Sequence, residues 1–403
     1  MQKGQKEIPL SVPNLDMEIV DNLKECIATG WVSTGGRFIT EFEQKIAKYA
    51  GTDDAVSCQS GTAGLHTALR ILGVQAGDEV IVPTLTFIAA INPVVYQGAY
   101  PVFMDCDEYF CIDTDKLAKF CDEECEFKNI KDAAGNVERK LINKKSGRRI
   151  RAIIAVHVFG NMANMEAVMG IAEKYGLAVL EDATEALGSY VTEGRYRGAK
   201  AGTIGDIGVY SFNANKIITT GGGGMIVSRS QKYLDQARYL TITAKEASPE
   251  EALHFVHNDI GYNYRMTNLQ AALGVSQIDK LEEFISIKER NFNRYAKCLA
   301  GIEGLKLLAF TPTIRSNKWF YALYVDEEKF GEKRDALMHR LIDSGVQCRP
   351  VWKLTHTQKA YAEMQNYEIE KAYDYEKNVL NIPCSTNLTE EDVEYVCEII
   401  KGR

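Results

Sequence analysis

Seven short apolar runs set the first constraint on how this chain can fold. Between residues 55 and 228 it reads AVSC, EVIVP, YPVFMD, RAIIAVHV, LAVLED, GDIGVYSF and GGMIVS, each four to eight residues long. Runs of that length suit strands buried on both faces. Helical patterns lie among them. FITEFEQKIAKYA (38–50) puts Phe38, Phe42, Ile46 and Tyr49 on one face, and GTAGLHTALRIL (61–72) and MEAVMGIAEKY (165–175) each follow a strand. TFIAAINPVVYQ (86–97) reads as one helix despite Pro93. This alternation predicts an α/β domain with a mainly parallel sheet covered by helices. Past residue 245 the rhythm changes. Residues 266–300 read as one or two amphipathic helices leading into an α+β unit. That unit has a strand at NKWFYALYVD (317–326), a helix at KRDALMHRLIDSG (333–345) and the segment GVQCRPVWK (345–353). The expected division is a large domain over 1–250 and a smaller one over 251–403, with the boundary near 245–265.

Bulk properties narrow the function. The chain has 403 residues, 45% hydrophobic, and a net charge of −8, without the basic excess of a general nucleic-acid binder. The opening MQKGQKEIPLSVPNLDMEIV is polar and broken by proline, unlike a signal peptide, and no run reaches the length of a membrane span. The ten cysteines are scattered; the one tight pair, Cys121 and Cys125, lacks the partners of a zinc site. Reduced thiols in a cytoplasmic protein, with no metal, are the expectation. The basic stretch 126–151 interrupts the α/β rhythm and reads as a solvated hairpin rather than a phosphate site on Arg148 or Arg149.

Three features carry chemistry. In CQSGTAGLHTAL (58–69) a helix begins among small residues, which makes either an ordinary cap or a phosphate cradle of free amides. In LAVLEDATEALG (177–188) Glu181 and Asp182 end an apolar strand, where open α/β sheets bind ligands. A carboxylate there serves as a helix cap, a metal ligand or the partner of a buried cationic ring nitrogen. In GVYSFNANKIITTGGGGMIVS (208–228) Lys216 lies between a strand and four glycines, either exposed or presented to a ligand that the glycines let approach. No dinucleotide or P-loop fingerprint surrounds that glycine run, which argues against a nicotinamide oxidoreductase. Phosphate cradle, carboxylate and lysine together suit pyridoxal 5′-phosphate, with the lysine in a Schiff base and the carboxylate on the pyridine nitrogen.

These motifs, together with VPTLTFIAAINPV (82–94) and GYNYRMTNLQAALG (261–274), resemble the DegT/DnrJ/EryC1/StrS nucleotide-sugar aminotransferases, and the resemblance runs from IPLSVPN to GVQCRPVWKL. It implies the fold type I architecture of pyridoxal-phosphate transferases, similar to aspartate aminotransferase. It implies Lys216 as the catalytic lysine and acid/base, and Asp182 as the pyridinium partner. Phe87 matches the aromatic that stacks on the ring, and Gly61, Thr62, Ala63 and Ser211 match the phosphate site. Asn263 matches a residue reaching the phosphate from a second copy in a homodimer with shared sites. Glu185 stands where the family often has Gln or His against the cofactor's phenolic oxygen. Two like charges there are unfavourable, so Glu185 either shares a proton or points away.

Lysine at 216, rather than the histidine of sugar dehydratases in the family, implies transamination, with L-glutamate as donor and pyridoxamine 5′-phosphate as the carrier. IPLSVPN, TGWVSTGG, FMDCDEYFCID, VHVFGNMANME and GVQCRPVWKL are similar to the legionaminic-acid and bacillosamine-type branch. That branch aminates C4 of UDP-2-acetamido-2,6-dideoxy-4-hexulose or its GDP counterpart. It implies Trp31, Ser33, Thr34, His157, Arg265, Arg349 and Trp352 as sugar or nucleotide contacts. A C3 aminotransferase and a non-catalytic relative that keeps the cofactor pocket are the alternatives.

Overall fold

The apolar runs form strands because β-branched and aromatic side chains pack well on a pleated surface buried on both sides. The computed structural model describes residues 7–131, 135–246, 248, 250 and 253–402. In chain order the N-terminal part holds the helices α1 (Ile19–Thr29) and α2 (Arg37–Ala50), then strand β1 (Ala55–Cys58) and helix α3 (Gly61–Ile71). Strand β2 (Glu79–Pro83), helix α4 (Asn92–Tyr96), strand β3 (Tyr100–Met104) and helix α5 (Thr114–Glu123) follow. Next come β4 (Cys125–Lys131), β5 (Val137–Asn143), β6 (Ile150–Val156), α6 (Met165–Tyr175) and β7 (Ala178–Asp182). Strands β8 (Tyr190–Val191), β9 (Ile207–Ser211) and β10 (Gly224–Val227) then lead to helix α7 (Gln231–Thr241).

Eight strands make the main sheet in the order β1-β10-β9-β7-β6-β2-β3, closed at its far edge by a strand from the C-terminal part, Asn366–Tyr367. Strand β10 runs against both neighbours, and the remaining pairs are parallel. The mainly parallel α/β sheet expected from the sequence is therefore present. A four-stranded antiparallel sheet in the C-terminal part is ordered Leu305–Leu307, Tyr321–Val325, Val379–Ile382, Arg349–Pro350. The amphipathic stretch 266–300 is two helices, α8 (Asn268–Asp279) and α9 (Leu281–Leu299), separated at Lys280. Helix α8 packs on α1 and α2, and Gly274 leaves room for the Phe42 ring, whose atoms come within 2.6 Å of where a Cβ would stand.

Two local readings change and a third holds. Residues 86–97 form a 3-10 turn (Ile88–Ala90) and then the short α4, because Pro93 has no amide to continue a helix and is tolerated only in the first turn. The strand expected over 317–326 begins at Tyr321, since Lys318 takes a left-handed φ of 51° and the chain turns Trp319 and Phe320 inward before the strand starts. Segment 126–151 holds the expected antiparallel hairpin β4–β5; residues 132–134 lie outside the described residues. Arg149 is bound to Asp78 (Nε to Oδ1 2.8 Å) and Arg148 stacks over Tyr100 at 3.9 Å, so both serve the protein's own packing. All ten cysteines are free thiols, and among the described residues no helix is long and apolar enough to cross a membrane.

One glycine of the run after Lys216 has a packing reason. A Cβ on Gly224 would stand 2.6 Å from the carbonyl carbon of Ser60 and 2.8 Å from the amide of Gly61. Bare backbone lets β10 press against the start of α3. Gly222 is different, with its nearest neighbour, Gln270 Nε2, at 3.6 Å. Gly224→Ala should cost about 1–3 kcal/mol, as overpacking does, while Gly222→Ala stays close to neutral. Thermal melts of the two variants against the parent check this.

Candidate active site

Five strands end at one place. The C-terminal ends of β1, β2, β6, β7 and β9 surround a cavity of about 370 Å³, whose walls include Gly61, Thr62, Phe87, Val156, Asp182 and Ser211. Sites in open α/β sheets form there because helix starts and loops converge at that edge.

Lys216 reaches the cavity from the loop between β9 and β10. That loop is closed on itself: the Phe212 amide donates to Gly223 O (2.9 Å), the Thr220 amide to Phe212 O (3.0 Å) and Thr219 Oγ1 to Phe212 O (3.1 Å). Its side chain is only 12% exposed, with Nζ 4.0 Å from the centre of the Trp319 ring and 3.6 Å from Glu185 Oε1. The amine faces the cavity, resolving the choice between an exposed and a presented lysine.

The adjacent carboxylates Glu181 and Asp182 face opposite sides of β7, as strand alternation requires. Glu181 is fully buried and accepts from the amides of Gly202 (2.8 Å), Ile204 (2.6 Å) and Gly205 (2.5 Å). Burial pushes its pKa up, but His157 and these amides outweigh that and hold it below the usual range. Asp182 lines the cavity and accepts from the Thr184 amide (3.1 Å). Burial raises its pKa against the pull of Thr184 and Lys216. Its negative form is therefore short of partners in the protein alone, which suits a carboxylate made to face a cation.

Glu185 does not point away. It lines the cavity, 5% exposed, with Oε2 accepting from the Phe159 amide (2.9 Å). Burial pushes its pKa up to about 7, against the pull of Lys216 and the Phe159 amide.

At the start of α3, Ser60 caps the helix by accepting from the Ala63 amide (3.1 Å). Ala63 thus has its amide committed and does not line the cavity, unlike Gly61 and Thr62, whose first-turn amides have no preceding carbonyl within the helix to bond. A Cβ on Gly61 would sit 2.9 Å from Thr184 Cγ2 and 3.0 Å from Ser211 Cβ, so this glycine keeps the cradle open. Phe87 at the mouth is 54% exposed, 6.4 Å from Trp352 ring to ring. A helix start with free amides, an aromatic wall and a buried carboxylate together fit pyridoxal phosphate, whose phosphate would be held by Gly61, Thr62 and Ser211 with its ring beside Phe87.

Other expected contacts lie elsewhere. His157 is fully buried; its Nδ1 accepts from the Ala163 amide (3.2 Å), so Nε2 donates to Glu181 (2.8 Å), and the ring is spent on the protein. Trp31, Ser33, Thr34 and Arg265 form a second, outer group. Arg265 Nε donates to Thr34 O (3.2 Å), and Asn268 bonds the carbonyls of Ser33 and Trp31. Asn263 is exposed and bridges Ile242, and Arg349 is exposed on its short strand. None of these six lines the Lys216 cavity of the same chain; Trp352 does.

Trp319 and Phe320 line the cavity without having been expected there. They stack at 4.0 Å, and Trp319 Nε1 donates to Asn215 O (2.8 Å) in the lysine loop. Asn213 and Asn215 also reach it. A ten-residue strand reading was longer than a buried strand needs, and that excess was the one signal available.

The DegT/DnrJ/EryC1/StrS aminotransferase family profile matches residues 13–401, and the chain belongs to this family. It is similar to the putative pyridoxal phosphate-dependent aminotransferase EpsN of Bacillus subtilis, 33% identical over 98% of this chain and 95% of EpsN. It is also similar to the GDP-perosamine synthase of Caulobacter vibrioides, 35% identical over 96% of each chain. The aminotransferase TlmJ of Streptoalloteichus hindustanus has the same fold, with a TM-score of 0.84 and 27% identity over 98% of both chains. The protein is thus a fold type I, pyridoxal-phosphate-dependent sugar aminotransferase.

A buried acid with a raised pKa binds a proton in the folded state that the unfolded chain has already released. Stability from Glu185 is therefore full below about 4.5 and lost as pH rises through about 7. In the cofactor-free protein, unfolding free energy should fall by about 2–3 kcal/mol more between pH 5 and 8 than in Glu185→Gln, by paired denaturant titrations.

Proposed function

We propose that the chain passes the amino group of L-glutamate to C4 of a nucleotide-linked 4-keto-6-deoxy sugar, UDP-2-acetamido-2,6-dideoxy-4-hexulose or its GDP counterpart. The observation that carries this is Lys216 Nζ inside a cavity shared with Asp182 and the open start of α3. Bound pyridoxal phosphate supplies an electron sink and a carrier for the amino group. Gly61, Thr62 and Ser211 hold its phosphate, Phe87 covers the ring, and Asp182 keeps the ring nitrogen protonated. Lys216 moves the proton at the reacting carbon. The GDP-perosamine synthases among the relatives support the GDP arm, and the sequence motifs of the legionaminic-acid type support the UDP arm. Amination at C3 is the competing reading. The reaction belongs in the cytoplasm, with glycan assembly downstream.

The outer group at Trp31, Ser33, Thr34 and Arg265, with Asn263, completes the site of a second copy in a homodimer with shared sites. Exposed apolar side chains near these residues support an interface, among them Trp31 at 61%, Ile27 at 70% and Ile260 at 77%.

Lys216→Ala should fold normally and lose at least about 10³-fold in turnover; substantial residual activity refutes the lysine's role. Asp182→Asn should lower kcat by about one to three orders of magnitude, matching the loss of a facing charge. Product analysis by NMR on UDP- and GDP-linked 4-keto and 3-keto sugars reads nucleotide and amine position together. Mixed dimers of Lys216→Ala and Arg265→Ala copies should recover about a quarter of wild-type activity, since half the dimers are mixed and each has one intact site. No recovery rejects the shared site.

A further inference from the structure

Glu185 is a second titratable group beside the reacting amine, in a position where a neutral amide would satisfy the same geometry. Its placement is over-determined. Oε2 is pinned by the Phe159 amide at 2.9 Å, and Phe159 holds a left-handed φ of 58°, unusual for a bulky side chain and sustained by Phe110 and Trp352 rings at 5.3 and 4.8 Å. The backbone of Glu185 is clasped as well. The buried Asn317 side chain donates from Nδ2 to Glu185 O and Leu187 O, both at 2.9 Å, and its Oδ1 accepts from the Trp319 amide at 2.9 Å. Gly160 makes room for this clasp, since any Cβ there would overlap Asn317 Oδ1. Asn317 thus ties the backbone of Glu185 to that of Trp319, whose ring also lies against the Lys216 amine. The oxygen left facing the amine is Oε1, 3.6 Å from Nζ, a gap that a small lysine movement closes.

We propose, resting on the reading of Lys216 as the reacting amine, that Glu185 is its proton partner, taking a proton from the ammonium and handing it back. In the forward step an N–H bond of Lys216 breaks, its electron pair stays on nitrogen, and an O–H bond forms on Glu185. An ion pair becomes a neutral amine and a neutral acid, with no net change of charge and no electron transferred. Burial narrows the gap between the resting ion pair and the neutral pair, because it penalises both charges. The exchange yields the unprotonated amine that a nucleophilic lysine requires. The other ionisable groups facing Glu185 are Asp182, which pushes its pKa up, and the buried thiol of Cys111, which Glu185 disfavours as a thiolate. Among the described residues Lys216 is the cation facing Glu185, so the amine is the source of the exchanged proton.

The test is the coupling of two titrations in the cofactor-free, full-length protein. Competitive acetylation of Lys216, read by mass spectrometry across pH, gives the amine's midpoint in the parent and in Glu185→Gln. Removing an anionic partner lowers an ammonium's pKa, so the midpoint should fall by at least about one unit, giving tenfold more labelling on the acid side. The reciprocal measurement follows the Glu185 carboxyl by infrared difference spectroscopy. Its midpoint should rise by the same amount in Lys216→Met, and this arm stands if Glu185→Gln fails to fold. Unmoved midpoints show that Glu185 merely anchors the Phe159 amide and overturn the proposal. In the holoenzyme, Glu185→Gln should lower kcat about 10²-fold and remove the acidic limb of the pH profile without a comparable change in KM. Coupled midpoints in a protein that aminates no keto sugar would leave the proton partnership standing and remove the function instead.

Discussion

The register between β9 and β10 is the constraint on which this site depends. Ser211 pairs with Gly224 and Tyr210 with Met225, and the twelve-residue connection between them is folded back by the bonds that Phe212 makes to Thr219, Thr220 and Gly223. A slip of one residue would turn every side chain of β10 to the other face. It would also drive Met225 into the space that Gly224 leaves for the Ser60–Gly61 backbone. The phosphate cradle and the lysine are thus set against each other by one bare stretch of backbone.

Strand β7 adds a division of labour that follows from alternation alone. Glu181 turns beneath the sheet, where three amides and His157 consume it and lock the following loop, residues 202–205, in place. Asp182 turns to the cavity with few partners. Two neighbouring carboxylates of the same length and charge become a structural post and a ligand group because consecutive strand residues face opposite ways.

Much of this was legible in the chain. Short apolar runs gave the strands of the main sheet, and the strand-end positions of Lys216 and Asp182 marked the site. The aromatic wall was hidden, because Trp319 and Phe320 belong to an unbroken apolar run, residues 319–325, that reads as a buried strand. Only the left-handed turn at Lys318, held by the Asn317 clasp, directs them inward. His157 misled for the opposite reason: a histidine at the C-terminal end of a parallel strand is well placed for a ligand, yet a buried glutamate opposite it captured the ring. Trp31 and Arg265 entered only through the family resemblance, as sugar or nucleotide contacts. Their distance from Lys216 within one chain depends on how remote segments pack, which local pattern does not encode.

The claim on which the account stands is that the Lys216 cavity binds pyridoxal phosphate in a form that L-glutamate converts. The most direct measurement is the visible absorbance of the purified protein with pyridoxal phosphate, before and after addition of L-glutamate. A visible band that forms with the protein, is lost on adding glutamate and is absent from Lys216→Ala is the predicted result. No protein-dependent band, or one that persists unchanged with glutamate and in the variant, would contradict it.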